Sequence, residues 1–459
     1  MQLIMQSAWQ TVKTNKTTIN WDKVYSFERK EKYIMTFEMI LALSILILMI
    51  VLIMTDKMAF GAPPLLACML LVITGLSTVQ EAFAGFVNSS VIMVAGFMVV
   101  LAAVEKTSLL GKVKSAMETL VDKGGYKSYV LLLIIVMIGA SLAGTGSTGY
   151  YVLILSLVST IPYSEKLPTS KLMMPLGFAT NHPLVPFNVA LHFGIIKSVL
   201  EAAGYKTNVS MVKVSIVSLI LSLGFLVWSL VAYKLLPDHS IAEASIEAKE
   251  MKNAKEEQLP AWKEWCTVIA FLISVVGMML INQIGDAAYV IPGLAAAFVL
   301  IINVLNFKEV RDNMGAPVIL MMAGVIGVAD ALANTGFTAM IGDAVANVCN
   351  NMPAFFIVFV FALLTSTCAT FTGSNMGSVY IFAPIAISAC MSLGLNPVAA
   401  AVAVVISGWN GGYMPIDGMP AMILGMGNYK MSEFWKFSVP MYIIRILALS
   451  LGAILIFPM

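Results

Sequence analysis

Long apolar runs, separated by short polar stretches, set the pattern of this chain. Lipid offers backbone groups no hydrogen-bond partners, so a spanning segment must be a helix of about 20 mostly apolar residues. Runs of that kind predict crossings near 36–54, 59–76, 88–104, 172–196, 211–236, 263–282, 288–305, 315–333, 397–427 and 434–457. Two further apolar pieces, 129–161 and 354–393, each hold a Gly/Ser/Thr-rich break at the middle, which predicts hairpins that enter and leave on one side. The expected fold is an all-α polytopic membrane protein.

Composition sharpens this expectation. Hydrophobic residues make up 59% of the 459 and charged residues 11%, with a mean hydropathy of +0.90. Soluble domains carry roughly a quarter charged residues, so a soluble fold is excluded. The net charge of +2 is spread over loops with no basic patch, which argues against a nucleic-acid partner. Cys68, Cys266, Cys349, Cys368 and Cys390 show no CxxC or metal-ligand spacing and are expected to pack in apolar segments. Placing the loop 105–128 in the cytoplasm puts most basic residues after Met35 inside and leaves mainly Lys206 and Lys213 outside. The same parity puts residues 1–34 outside with Lys13, Lys16, Lys23, Arg29, Lys30 and Lys32, against the rule. One expectation that reconciles them is an upstream extension, with translation starting at Met35; N-terminal sequencing that found residues 2–34 would remove it.

Compared with itself, the chain shows an internal repeat, as transporter folds commonly do. Ala95-Gly96 and Ala323-Gly324 open matching spans at an offset of 228, and each is followed by a short amphipathic piece, 109–122 or 337–350. The hairpin breaks, Gly144-Thr145-Gly146-Ser147-Thr148-Gly149 and Gly373-Ser374-Asn375-Met376-Gly377-Ser378, match at an offset of 229. After each hairpin comes a segment broken by Gly, Pro and Asn: Pro175 to Pro183 within 172–196, and Ser407 to Pro420 within 397–427. An odd number of crossings between matching elements makes the repeats inverted. The expected organisation is an N-terminal extension 1–34, a first half 35–236, a charged cytoplasmic linker 237–262 and a second half 263–459.

Broken helices supply carbonyls at one half-helix end and N–H groups with partial positive charge at the other. Ser141, Thr145, Ser147 and Thr148 in the first hairpin, and Thr370, Ser374, Asn375 and Ser378 in the second, add short oxygens and donors for ions and substrate. Small polar residues at such places also let helices pack closely, and that reading stands beside the functional one. Asn181, Asn410, Pro415 and Gly418 lie in the two broken segments and are expected to contact substrate. His182 and Asp417, ionisable groups in the same segments, are candidates to carry a proton, or else simply face water. Arg445 is expected to snorkel from one end of the last span to the interface.

At these hairpins the sequence resembles the divalent anion/sodium symporter family, the dicarboxylate, citrate and sulfate carriers of the ion transporter superfamily. Its marks are Glu81-Ala82-Phe83-Ala84-Gly85-Phe86, Ala329-Asp330-Ala331-Leu332 with Thr335-Gly336, Ser374-Asn375-Met376 with Pro384, and Gly425-Met426-Gly427-Asn428. The resemblance implies a dimeric elevator, in which a scaffold holds a transport domain of hairpins and broken helices. It also implies a Ser-Asn-Thr motif at each tip, holding sodium and touching substrate carboxylates. Carried over, sodium falls to Ser141, Thr145, Gly146, Thr370, Ser374, Asn375 and Asp417, and Met376 takes the threonine position. The first tip reads Thr145-Gly146-Ser147, without the asparagine. Asp417 would repel a dianion unless protonated or paired, which favours proton coupling or another substrate.

The function these features predict is sodium- or proton-coupled symport of a small organic anion by a homodimer in the inner membrane. No cofactor is expected beyond the coupling ion. The rivals are an anion exchanger or cation/proton antiporter of the same superfamily and, in another class, a membrane enzyme or a non-transporting sensor. His182, His192 and His239 form no metal or nucleophile spacing, so no catalytic residue is assigned.

Overall fold

A computed structural model describes residues 35–54, 62–144, 147–159, 161, 167–185, 189–239, 241, 259–415 and 418–459. The N-terminal extension and most of the charged linker lie outside the described residues. Up to residue 235 the helices are α1 (Phe37–Met54), α2 (Ala62–Ile73), α3 (Val79–Ala82), a 3-10 turn (Ala84–Val87), α4 (Ser89–Glu105), α5 (Leu109–Lys123), α6 (Gly125–Ala143), α7 (Thr148–Ser159), α8 (Ser170–Ala179), α9 (Ala190–Ala202), α10 (Met211–Ala232) and a 3-10 turn (Tyr233–Leu235). From residue 261 they are α11 (Ala261–Met279), α12 (Ile281–Ile284), α13 (Ala287–Ile301), α14 (Phe307–Met314), α15 (Pro317–Asn334), α16 (Phe337–Cys349), α17 (Ala354–Thr372), α18 (Asn375–Ser392), α19 (Val398–Ser407), α20 (Gly418–Met426) and α21 (Met431–Ile456). No strand occurs among the described residues.

Seven segments among them are long and apolar enough to cross a bilayer, including α6, α10, α11, α17, α18 and α21. By contrast α7 has 12 residues, about 18 Å of helix against a hydrocarbon core of about 30 Å. Large apolar side chains such as Val51, Val231, Ile273, Leu294 and Leu455 stay exposed on the outer helices. Such exposure suits a lipid surround, which is as apolar as these side chains.

Close approach of backbones, alongside side-chain contacts such as Phe97 on Phe271, joins the early helices of the two halves. A Cβ on Gly96 of α4 would sit 2.6 Å from the backbone nitrogen of Gly293 in α13. Likewise Gly85, in the 3-10 turn after α3, and Gly327 of α15 each face backbone: their Cβ positions fall 1.9 Å from the Ala323 carbonyl oxygen and 2.0 Å from that of Ala82 in α3. Neither carbonyl is a flexible side-chain end that can step aside. Gly327→Ala is therefore expected to lower stability by about 1–3 kcal/mol, as overpacking does, and thermal unfolding of the purified protein measures it.

The buried apolar residues divide into two clusters. The smaller joins α6, α7 and α8 to Ile423 of α20 and to Phe434, Phe437 and Met441 of α21. The larger takes in the early spans together with α9, α17, α18 and α19. The two broken segments thus pack crosswise: α8 against α20, and α9 against α19. Their unwound middles consequently meet.

Candidate functional site

The second break begins where α19 ends at Ser407. Its glycines fit it onto the turn of the second hairpin: a Cβ on Gly408 would lie 3.2 Å from the Asn375 carbonyl oxygen, and one on Gly411 would lie 2.0 Å from Thr370 Oγ1. Gly412, at φ +89°, takes the left-handed conformation that side chains disfavour. Its N–H donates to Thr370 Oγ1 at 3.2 Å, and that hydroxyl donates to the Ser366 carbonyl at 2.9 Å. Ser374 caps α18 by accepting from the Gly377 N–H at 3.1 Å, and Ser378 donates to the Ser374 carbonyl at 2.9 Å. The tip's hydroxyls are thus committed to backbone. The Asn375 side chain carries no hydrogen bond to described residues and stays partly exposed.

The first break is tied to the first hairpin in the same manner. Val185 N–H donates to Ser141 Oγ at 3.0 Å, Leu184 N–H to the Met137 carbonyl at 3.2 Å, and Ser141 Oγ itself to that carbonyl at 3.0 Å. Asn181 Nδ2 then reaches the Trp409 carbonyl at 2.7 Å, and the Thr180 hydroxyl lies 3.7 Å from Met419 Sδ. Each break therefore rests on its own hairpin and touches the other break.

Arg445 closes the crossing. It stands midway along the 26-residue α21 with 1% of its surface exposed. The expectation of an interfacial, snorkelling side chain is corrected: the break opposite supplies acceptors that hold the guanidinium inside. One terminal nitrogen donates to the Asn410 carbonyl at 3.1 Å and also to the Gly411 carbonyl. The other lies 3.2 Å from His182 Nε2. A guanidinium only donates, so Nε2 accepts, and the proton of a neutral His182 sits on Nδ1, donated to the Phe178 carbonyl at 2.6 Å. The imidazole stacks on Phe225 with ring centres 4.1 Å apart. Arg445 Nε is buried without a partner, and no carboxylate pairs with this arginine among the described residues. A buried cation lacking a counter-charge is costly, typically by several kcal/mol.

Arg445 lines a small cavity with Phe178, Ala369, Thr370, Asn375, Trp409, Gly411, Gly412, Met419 and Pro420. Guanidinium, amide and aromatic faces together suit a small anion with an apolar part. Among the sequence candidates, the structure brings Thr370 and Asn375 to this cavity, with Asn410 beside it and Asn181 and His182 just behind. Ser374 is a helix cap. Met376 is buried in the larger core instead of facing the cavity, because α18 turns that position toward its neighbours. Ser147 donates to Glu105 Oε1 at 3.1 Å, at the end of α4. Pro415 does not line the cavity, and Gly418 opens α20. Thr145, Gly146, Asp417 and the side chain of Thr148 lie outside the described residues. Sequence reasoning missed Arg445 as a site residue; a lone charge at the middle of a 26-residue apolar helix is the signal that points to it.

Crossed broken helices beside two hairpins, around a buried charge, define a membrane carrier. The citrate transporter family (CitMHS) matches residues 50–406, and the chain belongs to it. It is a multi-pass membrane protein of a transporter family. Relatives include the uncharacterised transporters sll0640 of Synechocystis, 26% identical over 46% of this chain and 33% of that protein, and YfbS of Escherichia coli, 23% identical over 62% and 44%. A probable sodium/sulfate cotransporter of Chlamydomonas reinhardtii is 27% identical over 38% of this chain and 20% of that protein. The chain spans less than half the length of these relatives. Among solved structures, the Alcanivorax borkumensis YdaH transporter is similar with a TM-score of 0.56 at 15% identity, covering 84% of this chain and 90% of that one. Neisseria gonorrhoeae MtrF, described as one of a class of antimetabolite efflux pumps, gives a TM-score of 0.54 at 13% identity, covering 84% of each chain. At these identities the likeness concerns the fold.

Proposed function

We propose that this protein is a secondary active transporter that carries a small organic anion, of di- or tricarboxylate type, in symport with sodium or protons. The observation that carries the reading is Arg445: a buried guanidinium with no carboxylate partner among the described residues, lining a cavity at the crossing of two broken segments. An entering carboxylate supplies the missing counter-charge and takes the free Asn375 amide as a second donor. The coupling cation is drawn to oxygens freed beside a break. The crosswise packing of α8 with α20 and α9 with α19 supports inverted repeats 35–236 and 263–459. In that arrangement the hairpins and broken segments form a transport domain, moving against a dimeric scaffold of the early spans in the inner membrane.

Uptake of labelled citrate and succinate into proteoliposomes tests this. An imposed sodium or proton gradient is expected to drive accumulation. Flux that appears only with internal counter-anion rejects symport in favour of exchange, and cation flux without any anion favours a cation/proton antiporter. Asn375→Ala is expected to cut uptake by about 10- to 150-fold, the value of one hydrogen bond to a charged group, with the elution profile and unfolding temperature of the protein unchanged. Full activity in that variant would remove Asn375 from the site.

A further inference from the structure

A helix break inside a membrane frees carbonyl oxygens that need a new partner, and in secondary transporters a bound cation is one of the partners that serve. At the second break those oxygens belong to Asn410 and Gly411, just beyond the end of α19. Both accept from the same terminal nitrogen of Arg445. Thr370 Oγ1, the nearest hydroxyl on the hairpin, is likewise in use, accepting from the Gly412 N–H and donating to the Ser366 carbonyl. The other end of the guanidinium is held by a neutral imidazole, and Phe178 lies with its ring centre 5.9 Å from the guanidinium carbon. Nothing among these partners cancels the positive charge.

We infer that Arg445 is a built-in cation at the second break, occupying the place that a mobile coupling ion would take. A guanidinium bonded to two freed carbonyls makes the contacts of a bound sodium ion, but it cannot dissociate. The break then needs no sodium to hold its shape, and the positive charge that faces the anion is present in every conformation of the empty carrier. Any sodium-coupled step is left to the first half, where the break against Ser141 has no such arginine among its described partners. The inference rests on the carrier reading only in treating the crossing as the binding site. Its test reads cation occupancy and not anion flux, so the two can fail separately.

The experiment is equilibrium binding of radiosodium to the purified full chain in lipid nanodiscs, with choline holding ionic strength constant. The unmodified protein is expected to bind no more than one sodium ion per chain. Arg445→Ala, which uncovers the two carbonyls, is expected to bind one more than the unmodified protein, and millimolar guanidinium should displace that extra ion. Arg445→Lys, which keeps a fixed cation, should match the unmodified count. Two sodium ions on the unmodified chain overturn the inference without recourse to any variant. Equal counts for Arg445→Ala and the unmodified protein, or an extra ion indifferent to guanidinium, overturn it as well.

Discussion

Replacing Arg445 with methionine is expected to abolish anion uptake while leaving the protein in the membrane. Methionine keeps much of the side chain's volume and removes its charge, so the carbonyls of Asn410 and Gly411 and the Nε2 of His182 all lose their donor. The anion loses the buried guanidinium that lines the cavity. Truncating one member of a desolvated, hydrogen-bonded charge pair typically removes about 2–5 kcal/mol of binding, or roughly 30- to 4000-fold. Arg445→Lys should recover only part of this. A lysine ammonium is a compact point charge and cannot span the fork from His182 to the two carbonyls. Uptake rate at low citrate, normalised to protein that elutes as a single species and unfolds cooperatively, is the measurement. Uptake by Arg445→Met within about twofold of the unmodified rate, far short of the loss expected for a desolvated charge pair, would show that the anion binds elsewhere.

This arginine also shows where a sequence stops being informative. The breaks at Gly408 to Gly412 and at Thr180 to Pro183 are local chemistry, visible because Gly, Pro and Asn interrupt an apolar run. The turn of the second hairpin is legible for the same reason, and Asn375 stands out as a polar group in it. What occupies a break is a different matter. The contact between Arg445 and His182 joins residues 263 apart in the chain, and nothing in local periodicity states that α21 turns this position onto the break. A neighbouring limit explains Met376, a direct neighbour of Asn375: consecutive helical residues face about 100° apart, so one reaches the cavity and the next enters the core. Ser147 shows the converse. As a hydroxyl in a turn it resembles Ser374, yet its Oγ meets the Glu105 carboxylate at the end of α4. Side-chain type was readable there and the partner was not, since α4 arrives from a different part of the fold.

For His182 the hydrogen bonds separate two roles that its sequence position leaves open. A proton carrier must change its charge during the cycle, whereas the ring here is fixed between a donor and an acceptor: Nε2 accepts from Arg445, and Nδ1 donates to the Phe178 carbonyl. Adding a proton to Nε2 would exchange that accepted bond for two cations 3.2 Å apart. Glutamine can reproduce the neutral pattern, with its amide oxygen toward Arg445 and its nitrogen available to the carbonyl, but it cannot titrate. His182→Gln is therefore expected to keep uptake within about threefold of the unmodified protein, a small change on the scale of a single net hydrogen bond, and to leave the pH profile between about 5 and 8, the range in which a free imidazole titrates, unaltered. His182→Leu has similar bulk and no acceptor. It leaves one arginine N–H buried and unpaired, a penalty of about 1–3 kcal/mol, and should reduce uptake by roughly tenfold or more without flattening the profile. If His182→Gln instead removes the pH dependence while transport persists, the imidazole does titrate, and Arg445 must release it at some point in the cycle.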